Sequence, residues 1–182
     1  QQFRLAFPEV RIALQQSAPE HIAEWVLSGK ADIGIATEGL SAFKDLVSFP
    51  CYEWNHVVVV PDGHPLLAHE KLSLEDLAKY PLITYDVGFT GRGHIDDAFK
   101  RAGLRTDIVL TAMDSDVIQQ YVSLGLGVGL VASMAIESGN ENQRAQGLRT
   151  ISASHLFQSN VTRLAVRRGA YLRTYTYDFI QK

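Results

Sequence analysis

The sequence predicts an α/β protein built as two lobes. Three observations carry that expectation. Along the 182 residues, short apolar or alternating segments exchange with segments of helical period, as strands and helices do in α/β folds. The alternation runs twice, once from Val10 and again from Leu82. A late strand and a terminal amphipathic helix then close the chain.

The first series opens with Val10, Ile12 and Leu14 alternating with Arg11 and Ala13, the pattern of a strand. Ser17 stands where a helix N-cap is expected, and Pro19 fits the first turn. The helix runs from Pro19 to about Leu27, turns Ile22, Trp25 and Val26 inward, and stops at Gly29. Residues 31–37 (Ala-Asp-Ile-Gly-Ile-Ala-Thr) read as a short strand, which makes a βαβ unit with two parallel strands. Strands follow at Leu46 to Cys51 and His56 to Val60, and Pro61-Asp62-Gly63 forms a turn. Ser73 caps a short helix, with Asp76 at the capping-box position.

Leu82 to Tyr85 begins the second series. Gly91 to Ala102 reads as a helix with Ile95, Ala98, Phe99 and Ala102 inward, stopped by Gly103. Ile108 to Leu110 is a strand. Asp114 caps a helix that presents Val117, Ile118, Tyr121 and Val122 on one face and ends at Gly125. Val128 to Ala132 is a buried strand, and residues 138–149 form a polar surface loop. Val161 to Val166 is the late strand. The closing helix carries Tyr171, Tyr175 and Phe179 at i, i+4 and i+8.

Composition narrows the function. Apolar residues make up 46% and the net charge is −3, so the chain can build a core and is not a disordered one. The longest near-apolar stretch, Leu124 to Ile136, is interrupted by three glycines and a serine and is too short to span a bilayer. The single cysteine, Cys51, excludes an internal disulfide, and the start lacks the pattern of a signal peptide, so a cytoplasmic location is expected. The chain opens without Met partway into an apparent helix, and further polypeptide upstream is expected. Residues 1–80 carry 6 Lys/Arg against 11 Asp/Glu, and residues 81–182 carry 11 against 9. Neither half is a nucleic-acid footprint, so any DNA-binding element is expected outside this segment.

Catalytic motifs are sparse. No nucleophile elbow and no phosphate loop occurs. Gly125-Leu-Gly-Val-Gly129 follows a helix and precedes a strand, the reverse of a dinucleotide turn, and reads as a helix stop with tight packing. The six histidines, among them His21, His56, His64 and His69, show no metal spacing and read as surface residues. Cys51 has no basic neighbour and reads as structural. No metal and no cofactor is expected. What remains are three strand-to-helix corners rich in hydroxyl and small residues: Ser17–His21, Thr84–Arg92 and Thr111–Asp116. Ligands of open parallel sheets bind at such corners, where helix N-termini offer N–H groups. The same residue types are also ordinary caps.

Six segments carry a resemblance: residues 31–38 (Ala-Asp-Ile-Gly-Ile-Ala-Thr-Glu), Phe49-Pro-Cys-Tyr-x-Trp54, Val58-Val-Val-Pro-Asp-Gly-His-Pro-Leu66, Tyr80-Pro-Leu-Ile-Thr-Tyr85, Gly88-Phe-Thr-Gly-Arg92 and Gly125-Leu-Gly-Val-Gly129. Together they resemble the effector-binding domain of LysR-type transcriptional regulators, in the CysB-like branch. The likeness runs from about Phe3 to Gln181. It implies a periplasmic-binding-protein-like (type II) fold with two Rossmann-like lobes and a ligand cleft between them. It places the crossovers near Lys79–Leu82 and Val166–Ala170, so lobe one holds residues 1–80 and 169–182 and lobe two holds 81–168. It implies an upstream winged helix-turn-helix that meets promoter DNA, dimers within a tetramer, and control of sulfur assimilation and cysteine biosynthesis. The implied effector is small: O-acetylserine, N-acetylserine, sulfate, thiosulfate or adenosine phosphosulfate. The implied contacts are Ser17, Ala18, Pro19, Glu20 and His21, with Thr84, Thr90, Thr111 and Asp114.

One corner departs from the family pattern. A hydroxyl residue is replaced by Ala18, and Glu20 puts a carboxylate into the first helical turn. Either Glu20 faces the ligand and opposes a bare anion, or it points to solvent as a first-turn helix acid. Two other readings stand beside this one: a free-standing solute-binding protein of a transporter, which shares the architecture, and an enzyme using Asp114 or His21. No set of paired acid, base and nucleophile supports the second.

Overall fold

A computed structural model describes residues 2–37, 39–89, 91–137 and 147–181. The chain divides into two compact units. The first holds Gln1–Cys51 and Thr162–Lys182, and the second holds Tyr52–Val161. The crossings fall earlier than the resemblance placed them, at 51/52 and 161/162 rather than near 80 and 168. The reason is strand pairing. The strand His56–Pro61 is hydrogen-bonded on both sides to strands of the second sheet, which carries the whole stretch 52–80 into that unit.

In the first unit, helix α1 (Gln2–Ala6) is followed by an extended stretch and then by helix α2 (Pro19–Ser28). Strand β1 (Gly34–Ala36) pairs antiparallel with β8 (Asn160–Arg167), in register Gly34↔Ala165, and β2 (Leu46–Trp54) lies on the other side of β8. Ala23 and Val26 of α2 pack on Leu40, Leu46 and Ala165. That approach needs Gly34, because a Cβ there would lie 2.8 Å from a methyl carbon of Ile22. The stretch from Val10 to Leu14 forms no strand, contrary to its alternation. Its expected parallel partner, β1, takes β8 instead. Helix α7 (Thr174–Gln181) packs Phe179 edge-on to Phe3, with ring centroids 5.3 Å apart. Tyr171, expected on that inward face, precedes the helix and is 94% exposed.

The second unit holds a five-stranded sheet of order β5-β4-β6-β3-β7. Here β3 is His56–Pro61, β4 Leu82–Tyr85, β5 Ile108–Ala112, β6 Val128–Ala132 and β7 Leu148–Ser152. Strand β4 is parallel to β5 and β6, while β3 is antiparallel to β6 and β7. Strand β7 begins inside the stretch expected as a polar loop, and residues 138–146 of that stretch lie outside the described residues.

Period-two alternation builds two cores. Val58, Val60, Leu82 and Leu130 pack with Ile95 and Phe99 of helix α4 (Arg92–Arg101) and Leu77 of α3 (Leu74–Leu77). Val59, Ile83 and Val131 pack with Ile118 and Val122 of α5 (Ser115–Ser123) and Ile136 of α6 (Ser133–Glu137). The capping box of α3 is present, with Ser73 and Asp76 satisfying each other's backbone N–H groups. Those bonds, with Lys79, hold the Asp76 carboxyl down at about 2. Gly127 and Gly129 have the packing role expected of them: a Cβ would meet Pro81 O at 2.6 Å and Val122 at 2.9 Å respectively.

Candidate functional site

The parallel strands β4 and β5 both end at the same edge of the second sheet, and each leads into a helix. Thr84 faces Thr111 in register and Tyr85 faces Ala112. After β4 the chain turns, with Asp86 N–H donating to Ala112 O at 3.0 Å and Phe89 N–H to Asp86 O at 3.1 Å. It enters α4 through Gly91, whose left-handed φ of 69° suits glycine. A side chain there would collide with the Asn160 amide and come within 2.9 Å of the His56 ring. After β5, Asp114 is the N-cap of α5 in extended conformation. Two helix N-termini therefore converge on the carboxyl ends of parallel strands, the place where α/β sheets bind anionic groups.

The individual side chains divide by what they already hold. Thr84 is fully buried, and its hydroxyl donates to Leu130 O at 3.1 Å, within the sheet. Thr111 is exposed near the end of β5, and Asp114 is exposed beside it. Thr90 lies outside the described residues. Arg92 is buried: its guanidinium donates to Tyr85 O at 2.6 Å and to Asp96 at 2.8 Å, which ties the end of β4 to α4. The Tyr85 hydroxyl accepts the Ala132 N–H at 3.1 Å. Burial, reinforced by Asp114 and Asp116, pushes its phenol up to about 12.

Sequence reasoning missed the polar pair beneath this edge. His56 is fully buried, against the expectation of a surface histidine, and its Nδ1 lies 3.4 Å from the Asn160 amide nitrogen. Trp54 and Phe157 stand edge-on to the imidazole, at 5.1 and 5.5 Å. The strand run His56-Val-Val-Val-Val carried a signal, since its register puts the histidine inside the sheet. Asn160 carried none.

The corner of the first unit differs from expectation at its cap. Ala18, not Ser17, is the N-cap of α2, and it makes no side-chain capping bond. Ser17 sits one residue earlier, with its Oγ 3.2 Å from His21 Nδ1. Pro19 is buried at the first helical position, while Glu20 and His21 are exposed.

Among the described residues, no group of three His, Cys, Asp or Glu side chains could hold a metal ion. Cys51 is exposed. No described helix is long and apolar enough to cross a membrane.

Residues 1–182 match the family described as the LysR substrate binding domain. The chain is 52% identical over 180 residues to the HTH-type transcriptional regulator SsuR of Burkholderia cenocepacia, covering 99% of this chain and 57% of that protein. It is 50% identical over 180 residues to CysB of the same organism, covering 99% and 56%. The chain thus spans somewhat over half the length of these curated relatives. Among solved structures, the cofactor-binding domain of the Cbl transcriptional regulator superposes with a TM-score of 0.92 at 49% identity, over 99% of this chain and 77% of that one. The two-sheet α/β architecture is the type II periplasmic-binding-protein-like fold of such domains.

Proposed function

The chain belongs to the LysR substrate-binding domain family, and from that premise we propose that it senses a small sulfur metabolite for a DNA-binding regulator of sulfur assimilation and cysteine biosynthesis. The observation that carries this reading is identity of 50% or more, across 99% of the chain, to relatives named SsuR and CysB. DNA contact belongs to polypeptide outside these residues. The regulator works in the cytoplasm as a dimer that pairs into a tetramer. The domain itself performs no catalysis.

The residues proposed for effector contact are, in the first unit, Ser17, Ala18, Pro19, Glu20 and His21. In the second they are Thr84, Thr90, Thr111 and Asp114. The chemistry favours a ligand with an anionic group and a hydrogen-bonding tail. Helix N-termini at α4 and α5 attract the anion. The exposed Thr111 hydroxyl can donate or accept, whereas Thr84 is fully buried with its proton on Leu130 O, so its contact with an effector would require the sheet edge to open. Asp114 and Glu20 add negative charge, so an ammonium on the ligand is favoured beside its carboxylate or ester. O-acetylserine carries that combination, and sulfate lacks it. Calorimetric titration of O-acetylserine, N-acetylserine, sulfate, thiosulfate and adenosine phosphosulfate tests the reading. Saturable binding of at least one supports it, and heats of dilution for all five would remove it.

A further inference from the structure

Beneath the entrance to α4 lies a polar pair that the effector contacts proposed above do not use. His56, the first residue of β3, and Asn160, the first of β8, are 0% and 1% exposed. Trp54 and Phe157 stand edge-on to the imidazole. The Asn160 amide nitrogen lies 3.4 Å from His56 Nδ1 and 3.5 Å from Gln158 O, long for hydrogen bonds. An amide nitrogen only donates, so His56 Nδ1 is its acceptor. The amide oxygen has no hydrogen-bond partner among the described residues. A buried acceptor left unmatched works against folding, and an aliphatic side chain suits such apolar surroundings better. Stability alone does not account for the pair.

What the pair touches is Gly91. A Cβ at that position would collide with Asn160 Oδ1 and come within 2.9 Å of His56 Cε1. Amide and imidazole thus fill the room that a side chain at position 91 would take. Gly91 is the N-cap of α4, and its carbonyl accepts the His94 N–H at 3.0 Å, so the first turn of the helix hangs from it. On the other side, Arg92 donates to Tyr85 O and to Asp96. The start of α4 is held between the end of β4 and the buried pair, and both set the direction of its N–H groups.

We propose that His56 and Asn160 are positioning residues for the effector. Acting through Gly91, they hold the α4 N-terminus at the angle at which its N–H groups meet the ligand's anionic group. This rests on the reading of the β4–α4 corner as part of the effector site. A displacement of about 1 Å at such a group is enough to lose most of its effect. The role needs the acceptor at residue 56 and the donor at residue 160, beyond their bulk.

Three variants of the natural protein test this: Asn160→Ala, His56→Leu and His56→Asn, the last of which keeps an acceptor near the place of Nδ1. The amide 1H–15N shifts of Gly91, Gly93 and His94 are read without ligand, and O-acetylserine and sulfate are then titrated calorimetrically. Asn160→Ala and His56→Leu are expected to move those amides more than the amides of Ser115 and Val117 at the start of α5. They should weaken binding by about tenfold or more, and lower the unfolding midpoint by no more than about 3 °C. His56→Asn should restore both amide positions and affinity. Wild-type affinity in Asn160→Ala and His56→Leu would overturn the pair's role and leave effector sensing intact. Affinity that falls only in step with stability, with His56→Asn binding no better than His56→Leu, would assign the pair to the core alone. If neither probe binds the natural protein, the effector reading loses its support and the amides decide: unmoved amides at 91–94 overturn the pair's hold on Gly91, and a selective shift that His56→Asn reverses supports it.

Discussion

Tyr85 shows how one side chain can hold the site edge together. Its hydroxyl accepts the Ala132 N–H, joining β4 to β6 at their carboxyl ends. Its folded pKa, about 12, lies above the ordinary value of 10. Burial is the main cause and outweighs the Ala132 N–H, which favours the phenolate; the stability that comes with keeping the buried phenol neutral is therefore fully present below about pH 10 and is lost as the pH rises towards 12. The shift corresponds to roughly 3 kcal/mol. Tyr85→Phe should lower stability at neutral pH by about 1–3 kcal/mol, because the Ala132 N–H loses its acceptor. It should also flatten the alkaline decline. Urea unfolding midpoints at pH 7, 10 and 11.5 check both effects.

Two threonines in register should behave differently. Thr84→Val deletes a buried hydrogen bond and should cost roughly 0.5–1.5 kcal/mol of stability. Thr111→Val, at an exposed position, should leave the melting temperature within a degree or so of wild type and weaken effector binding by a similar energy. Paired thermal melts and titrations separate the two, and unchanged affinity removes Thr111 from the site. Glu20 is argued from charge. Glu20→Gln should tighten sulfate and weaken O-acetylserine, because the carboxylate opposes one ligand and pairs with the other's ammonium. Equal affinities for both would place that side chain in solvent only.

At the scale of elements, α2 begins without a side-chain cap, because Ala18 stands at its N-cap. Ala18→Ser should stabilise the first unit by about 1 kcal/mol. An unchanged unfolding midpoint would mean that the helix start is held by its packing alone. Residue type alone points to Ser17 as that cap; the boundary lies one residue later, where Pro19 takes the first helical position. Ser73 and Asp76, by contrast, were legible together, because a capping box is a contact three residues apart and needs no tertiary context. The stretch from Val10 to Leu14 reads as a strand because period two is a local property. Pairing is not local, and β1 found its partner β8 some 130 residues away. Strand β7 was hidden for a similar reason: Arg149, Thr150 and Ser152 are exposed, so the sequence looks polar until β3 lies beside it.

Across the whole chain, the second series was legible because β4, α4, β5 and α5 form consecutive units, which pack as parallel strands and helices by general rules. The unit boundaries were not, because they depend on β3 joining a sheet whose other members come later in sequence. Helix starts were more legible than the contacts made across the fold. Small and polar residues mark helix starts locally, and Asp114 is the N-cap of α5 as residue type suggests, whereas the corner before α2 has no strand leading into it and is capped one residue late. The His56–Asn160 pair, separated by 104 positions, exists only through the fold.

This domain is proposed to sense a sulfur metabolite. The most direct measurement is a calorimetric titration of O-acetylserine into the natural protein and into its Thr111→Val variant. Saturable binding with one site per chain is predicted, weakened by the variant about threefold to tenfold, the ratio that a lost hydrogen bond of this kind gives. No binding of O-acetylserine or of any other sulfur metabolite in the panel, by protein whose unfolding transition remains cooperative, would contradict the account.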